Sequence, residues 1–239
     1  MKIQHGNITI YFADKQHCVQ PDEIKPGRIV PAHKILQNMI GAKAIYLLEQ
    51  VHGIQGYQVT PYMLENIPSF AQEGDFLYTN EKEIALGVDT ADCLPIVIYH
   101  SLGVISIVHA GWRGSFENIA QESIQTLLKT YPEIKVSELI VYFGPAGKAC
   151  CYEVQQDFIQ KFVEKYPWST VNFIKRNDRW YFDNGDFTSN LLQKIGILPE
   201  NIYTKWNICT ICNEKYCSYR REQQQAGRHI TLVMLNALP

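Results

Sequence analysis

The stretch Asp89–Gly114, DTADCLPIVIYHSLGVISIVHAGWRG, constrains this chain more than any other. Leu94–Tyr99 is a continuous apolar run with Cys93 just before it. Val104–Val108 is a second run, interrupted only by Ser106, with His109 just after it. Short unbroken runs of this kind read as buried strands, and Ser101-Leu102-Gly103 between them has the length of a hairpin turn. Antiparallel pairing about that turn lays the start of the first strand beside the end of the second. Cys93 and His109 then become neighbours in space. A thiol beside an imidazole at the rim of a buried sheet is a metal site or a nucleophile with its base.

The flanking sequence supplies the rest of a layered domain. Strands are expected at Ile8–Phe12, Ala44–Val51, Glu73–Thr79, Ile84–Val88, Leu139–Phe143 and His229–Leu235. Ile35, Leu36, Met39 and Ile40 share one face of a helix over Ala32–Ile40, with Gly41 to end it. The clearest helix runs from Phe116 to Tyr131, with Ser115 as N-cap and Pro132 as stop. Two more are expected over Tyr152–Tyr166 and over Asp186–Ile195, the latter with Asp186 as N-cap and Gly196 closing it. Pro21, Pro26-Gly27 and Pro31 mark a loop. Strands and helices mixed in this order indicate an α/β or α+β layered fold, a mixed sheet core flanked by helices.

With 239 residues, 46% of them hydrophobic, the chain can bury a full core and reads as one domain over residues 1–239. A formal charge of −2 gives no footprint for nucleic acid or an anionic membrane. No apolar run approaches the roughly 20 residues of a membrane helix, and MKIQHGNITIYFADK lacks a secretory h-region. Seven cysteines, an odd number, fit reduced thiols better than a disulfide framework. A soluble cytoplasmic protein is expected.

His52 joins Cys93 and His109, because it closes the expected strand Ala44–Val51. Two imidazoles and a thiolate leave a fourth position open, as catalytic zinc sites do. Three ordinary strand-end residues bonded to backbone are the plainer alternative. Gly111-Trp112-Arg113-Gly114 lies between a strand end and a helix start. It reads either as an anion-binding turn with Arg113 as bidentate donor or as a tight turn with a surface arginine. Cys209-Thr210-Ile211-Cys212, followed by Cys217, suggests a zinc ribbon or a redox pair. The second CxxC is missing, and adjacent Cys150-Cys151 are poor geometry for one metal. Tyr219, Arg220, Arg221 and Arg228 gather near the chain end as a solvated basic face or a phosphate site.

Together these pieces resemble the YfiH family, the "laccase-domain" or "multicopper polyphenol oxidase" proteins. The matching segments are Gln50-Val51-His52-Gly53, Thr90-Ala91-Asp92-Cys93-Leu94-Pro95 and His109-Ala110-Gly111-Trp112-Arg113-Gly114. Gly144-Pro145-Ala146, Cys151-Tyr152-Glu153-Val154, Cys209-Thr210, Ser218-Tyr219-Arg220-Arg221 and Gly227-Arg228 follow in the family's order. Departures are Gly74-Asp75-Phe76 where an Asp-Ala pair is usual, and Cys217 where phenylalanine precedes Ser-Tyr-Arg-Arg.

The resemblance implies a single-domain YfiH-like fold, akin to cysteine-hydrolase toxin domains, and a zinc site from His52, Cys93 and His109. It also implies phosphorolysis of adenosine, inosine and methylthioadenosine to free base and ribose 1-phosphate, with some adenosine deaminase activity. His52, Cys93, His109 and Arg113 are then the catalytic candidates, and Tyr219, Arg220, Arg221 and Arg228 the contacts to nucleoside and inorganic phosphate. A metal-free Cys–His hydrolase or amidase acting on a peptidoglycan precursor is the rival, with Cys93 as nucleophile and His109 as base. A copper-loaded polyphenol oxidase is a further alternative. Seven histidines without a His-x-His pair are too few for a multicopper centre, so copper would occupy the three-ligand site adventitiously.

Overall fold

Alternation along the central hairpin explains the layering of the molecule. The computed structural model describes residues 1–23 and 28–237, so the expected loop at Pro26-Gly27 lies outside the described residues. Leu94–His100 and Val104–Ala110 pair antiparallel with Leu94 opposite Ala110 and His100 opposite Val104, and both are buried throughout. Leu94, Ile96, Ile98, Val104 and Val108 project to one side, against the helix Ile119–Thr130. Val97, Tyr99, Ile105 and Ile107 project to the other, against a second sheet. A strand buried on both faces has no polar positions to spare, hence the unbroken apolar runs.

The hairpin sits in a six-stranded sheet whose order is Ile202–Tyr203, Ile140–Phe143, Leu94–His100, Val104–Ala110, Phe76–Thr79, Gly56–Gln58. Facing it, a second six-stranded sheet runs Lys2–His5, Ile8–Phe12, Arg228–Leu235, Ile84–Thr90, Ala44–Tyr46, with Cys18–Val19 on the end of Arg228–Leu235. Ile8, Ile10, Leu86 and Val233 fill the space between the sheets together with the hairpin residues. The helix Pro31–Ile40 covers the outer face of the second sheet through Leu36 and Ile40. A small three-stranded sheet and the helix Gln156–Lys165 close the remaining side with an aromatic cluster around Phe162, Phe182 and Phe187. The order of layers is helix, sheet, sheet, helix: a mixed α/β fold.

Several boundaries differ from the sequence expectation. The strand expected over Ala44–Val51 ends at Tyr46, because its pairing stops there: Leu47 and Leu48 keep the alternation between the two cores without a ladder, and Glu49 only bridges Glu73. The helix Pro31–Ile40 has Gly41 as its left-handed C-cap, but Ile35 and Met39 face solvent while Ala32 and His33 are buried. Ser115 is not an N-cap. Gly111 starts a short helix, Trp112–Phe116, and Asn118 at φ 64° turns the chain before Ile119–Thr130. The expected helix Tyr152–Tyr166 begins only at Gln156, since Glu153–Val154 pairs with the strand Arg179–Phe182. Asp183, three residues before Asp186, is the cap of Asn184–Lys194, its carboxylate accepting from the Asp186 amide at 3.0 Å. The hairpin Phe173–Arg176 with Arg179–Phe182 carried no strand signal, being exposed at Ile174, Lys175 and Arg176.

Candidate metal centre and substrate cavity

Three chain segments converge at the top of the central hairpin. His109 lies within its strand, one residue from the end, opposite Pro95, and Cys93 immediately precedes the partner strand. His52 follows the irregular segment after Ala44–Tyr46 and holds φ 63°, a left-handed conformation that non-glycine residues rarely adopt. One ligand atom each from His52, Cys93 and His109 lies within 4.8 Å of the others. The Cys93 Sγ to His52 Nε2 separation is 3.8 Å, and the two imidazoles meet edge to face at 4.8 Å between centroids.

Asp75, which the sequence reading did not select, holds both histidines. Only 1% exposed, it accepts from His109 Nδ1 at 2.7 Å and from the amides of His52 at 3.0 Å and Gly53 at 2.6 Å. Its backbone carbonyl takes the His109 amide at 2.8 Å. These bonds satisfy a buried carboxylate and hold the His52 backbone in its left-handed conformation. A carboxylate on Nδ1 fixes the His109 tautomer and presents Nε2 as the electron-pair donor. The signal was available: an acidic residue directly before the buried strand Phe76–Thr79 needs strong donors nearby.

Burial opposes charge on both Cys93 and His109, but their mutual attraction and hydrogen bonding outweigh it. The thiol is drawn down to about 6, aided by His52, and the imidazole is raised to about 9, aided by Asp75. Gly111 keeps the space open, because a Cβ there would stand 2.8 Å from His52 Cδ2 and 3.1 Å from Cys93 Sγ. Two imidazoles, a thiolate-prone sulfur and a carboxylate behind one imidazole suit a borderline-soft divalent ion such as zinc.

This cluster lines a cavity of about 620 Å³. Arg113, Tyr219, Arg220 and Arg228 line it as well, as do Arg28, Trp112 and Tyr152, which the sequence reading did not assign to substrate. Asp89 joins them, accepting from His33 Nε2 at 3.1 Å. The Arg220 guanidinium stands 4.6 Å over the Tyr152 ring and donates to the Glu153 carbonyl, while its amide donates to Asp92. Arg113 lies 4.6 Å from the Trp112 ring. Arg221 is not among the lining residues. It donates to the carbonyls of Thr210, Ile211 and Tyr216 at 2.6–2.8 Å and to Glu222, holding the loop that carries Cys209 and Cys212.

The layered α/β fold and this site define a protein with one preformed three-ligand cluster opening into a cavity of small-molecule size. The chain belongs to the YfiH/DUF152 family, described as multi-copper polyphenol oxidoreductase laccase, whose model matches residues 22–236. A Borreliella burgdorferi protein named purine nucleoside phosphorylase is 35% identical over 183 residues, 75% of each chain. A Xylella fastidiosa protein of the same name is 31% identical over 239 residues, 98% of this chain and 85% of its own. Among solved structures, a Neisseria meningitidis protein of the DUF152 family superposes with TM-score 0.81 at 22% identity over 99% of both chains. YfiH from Bacillus licheniformis gives TM-score 0.81 at 22% identity over 96% of this chain and 93% of its own. Among the described residues, no helix is long and apolar enough to cross a membrane.

Proposed function

We propose that the chain, acting as one catalytic unit, is a purine nucleoside phosphorylase that takes adenosine, inosine and methylthioadenosine. The observation that carries this is the shared cavity, where a metal-ligand cluster and several arginines face the same space of about 620 Å³. That volume falls in the usual range of small-molecule sites, and the names of the relatives point to the same reaction. Phosphorolysis breaks the bond from C1′ to the purine nitrogen and forms a bond from C1′ to a phosphate oxygen. Arg113, Arg220 and Arg228 offer planar donor forks to the phosphate, and Tyr152, Trp112 and Tyr219 offer faces to the purine. His52, Cys93 and His109 would hold a zinc ion, and the same two-imidazole, one-thiolate set would also accept copper adventitiously. Bound there, zinc would supply Lewis acidity, on which an accompanying deamination of adenosine would also draw. Asp75 contributes by keeping His109 Nδ1 protonated and Nε2 free.

Inosine consumption should require inorganic phosphate and yield hypoxanthine with ribose 1-phosphate. Turnover of equal rate in phosphate-free buffer, releasing free ribose, would overturn the phosphorylase reading. A second reading, a Cys–His amidase, draws on one observation, the Cys93 thiol drawn down to about 6 beside His109. An inactive Cys93→Ser protein whose zinc content per chain equals the parent's would favour that alternative.

A further inference from the structure

The seven cysteines include a second convergence, away from the three-ligand cluster. Sγ atoms of Cys150, Cys151, Cys209 and Cys212 all lie within 4.8 Å of one another. Adjacent Cys150 and Cys151 share a site after all, because they occupy a tight turn in which the amides of Cys151 and Tyr152 both donate to the Lys148 carbonyl. We infer that these four thiols form a second metal site, a tetrathiolate that takes one zinc-class ion and staples the turn beside the substrate cavity to the neighbouring loop that carries Cys209 and Cys212.

Three observations support this. First, the spacing is that of a coordination sphere: a tetrahedron with Zn–S bonds of about 2.3 Å has edges of about 3.8 Å, and Cys150 Sγ and Cys212 Sγ stand 3.8 Å apart. Second, the amides of Lys148, Ile211 and Cys212 and the Cys150 thiol are within hydrogen-bonding reach of the Cys209 sulfur. Amides two and three residues beyond a cysteine, turned toward its sulfur, are what a CxxC metal loop provides. Third, both loops are already fixed in place by other bonds. Ala146 bridges Cys209, with Ala146 donating to Ile208 and accepting from Thr210. Arg176 donates to the carbonyls of Ala149 and Cys150, and Arg221 holds those of Thr210 and Ile211. Two arginines on the backbone of this cluster leave four sulfurs turned toward one another.

The consequence for the cavity follows from connectivity. Gly147 and Tyr152 line the cavity from one side of the cysteine turn. Thr210, inside the CxxC loop, donates to the Asp92 carboxylate at 2.6 Å, and Gly147 donates to the Asp92 carbonyl at 2.9 Å. Asp92 immediately precedes Cys93, so an ion on the four thiols ties the neighbourhood of the first site to both loops. Binding displaces the protons of whichever thiols are still protonated.

The test uses the full chain carrying Cys93→Ser, which disables the three-ligand cluster, and cobalt(II) as a spectroscopic substitute for zinc. The metal-free protein should take up one equivalent of cobalt with intense near-ultraviolet sulfur-to-cobalt charge transfer, and zinc should abolish it. Adding Cys150→Ser and Cys212→Ser should remove the band. Correspondingly, the parent should hold one zinc per chain more than Cys150→Ser/Cys212→Ser protein. Absence of the band in the Cys93→Ser protein overturns the site, even where the multiple variant fails to fold. So does a Cys150–Cys212 disulfide in peptide maps of protein isolated with its thiols blocked.

Discussion

The two cysteine clusters are assembled by opposite means. Cys93 and His109 sit on paired strands that place them by register, His52 follows on a turn, and a buried carboxylate holds the His109 imidazole and the His52 backbone. The four thiols of Cys150, Cys151, Cys209 and Cys212 sit on loops, and Cys150 and Cys212 are exposed. Their frame is two arginines and one isolated bridge. Open coordination on rigid strands suits chemistry, because the ligands cannot follow the ion as the substrate changes. Closed coordination on loops suits stability, because the ion supplies what the loops lack.

Breaking the strand-borne cluster should have the largest effect. Cys93→Ser replaces a strong thiolate ligand by a neutral hydroxyl, and phosphorolysis should fall by at least ~100-fold with the metal at that cluster lost or loosened. Circular dichroism and zinc analysis on the same sample separate this from unfolding. Asp75→Asn comes next. It keeps the shape but loses the charge behind His109, and ~10–100-fold in activity or metal affinity should go with it, the usual scale for a partner behind a ligand. Unchanged zinc affinity and turnover in Asp75→Asn would mean that the carboxylate serves only the His52 turn.

The same contrast explains what could be read in advance. The central hairpin was legible because unbroken apolar runs admit few structures, and its pairing brought Cys93 to His109. His52 was legible only by position, since its strand ended five residues early, at Tyr46 rather than Val51. Asp75 left one local signal, an acidic residue directly before an apolar strand, but a carboxylate shows its role only when the donors around it are placed. Arg221 shows the same limit: a basic residue beside Arg220 reads as a phosphate ligand, while its placed partners are backbone carbonyls. The four-thiol cluster was hidden by distance along the chain. Cys150 and Cys212 are 62 residues apart, and their loops meet through the bridge between Ala146 and Cys209 and through Asn207, which accepts from Lys148 and donates to the Gly144 carbonyl.

Electrostatics sharpens the contrast further in protein stripped of metal. Cys93 ionises at about 6 and His109 holds its proton to about 9, so thiolate and imidazolium coexist between those values. The depressed thiol contributes stability that is lost as pH falls through about 6, and the raised imidazole contributes stability that is lost as pH rises through about 9. Alkylation by iodoacetamide should therefore rise with a midpoint near 6. At pH 7 the thiolate fraction should be ~30-fold above that of a free cysteine with pKa ≈ 8.5. Zinc added beforehand should protect Cys93, and a midpoint near 8.5 would remove the ion pair from the description.

The smallest effect is expected from the neighbouring arginines, and it is diagnostic because the two should fail differently. Arg220 lines the cavity, its guanidinium fixed over Tyr152 and anchored by one bond to the Glu153 carbonyl. Losing one charged donor to phosphate costs roughly 1.5–3 kcal/mol. Arg220→Ala should thus raise the KM for phosphate ~10-fold or more while the KM for inosine moves by a few-fold at most. Arg221 spends its guanidinium on three backbone carbonyls and Glu222, outside the cavity. Arg221→Ala should leave both KM values within a few-fold. Its cost appears as stability, about 1–3 kcal/mol for the partly buried carbonyls it abandons. In a chain of this length each kcal/mol lowers Tm by roughly 2–4 °C. Phosphate KM and thermal unfolding, measured on both variants, decide the assignment. A phosphate defect in Arg221→Ala with Tm unchanged would return that residue to the substrate site.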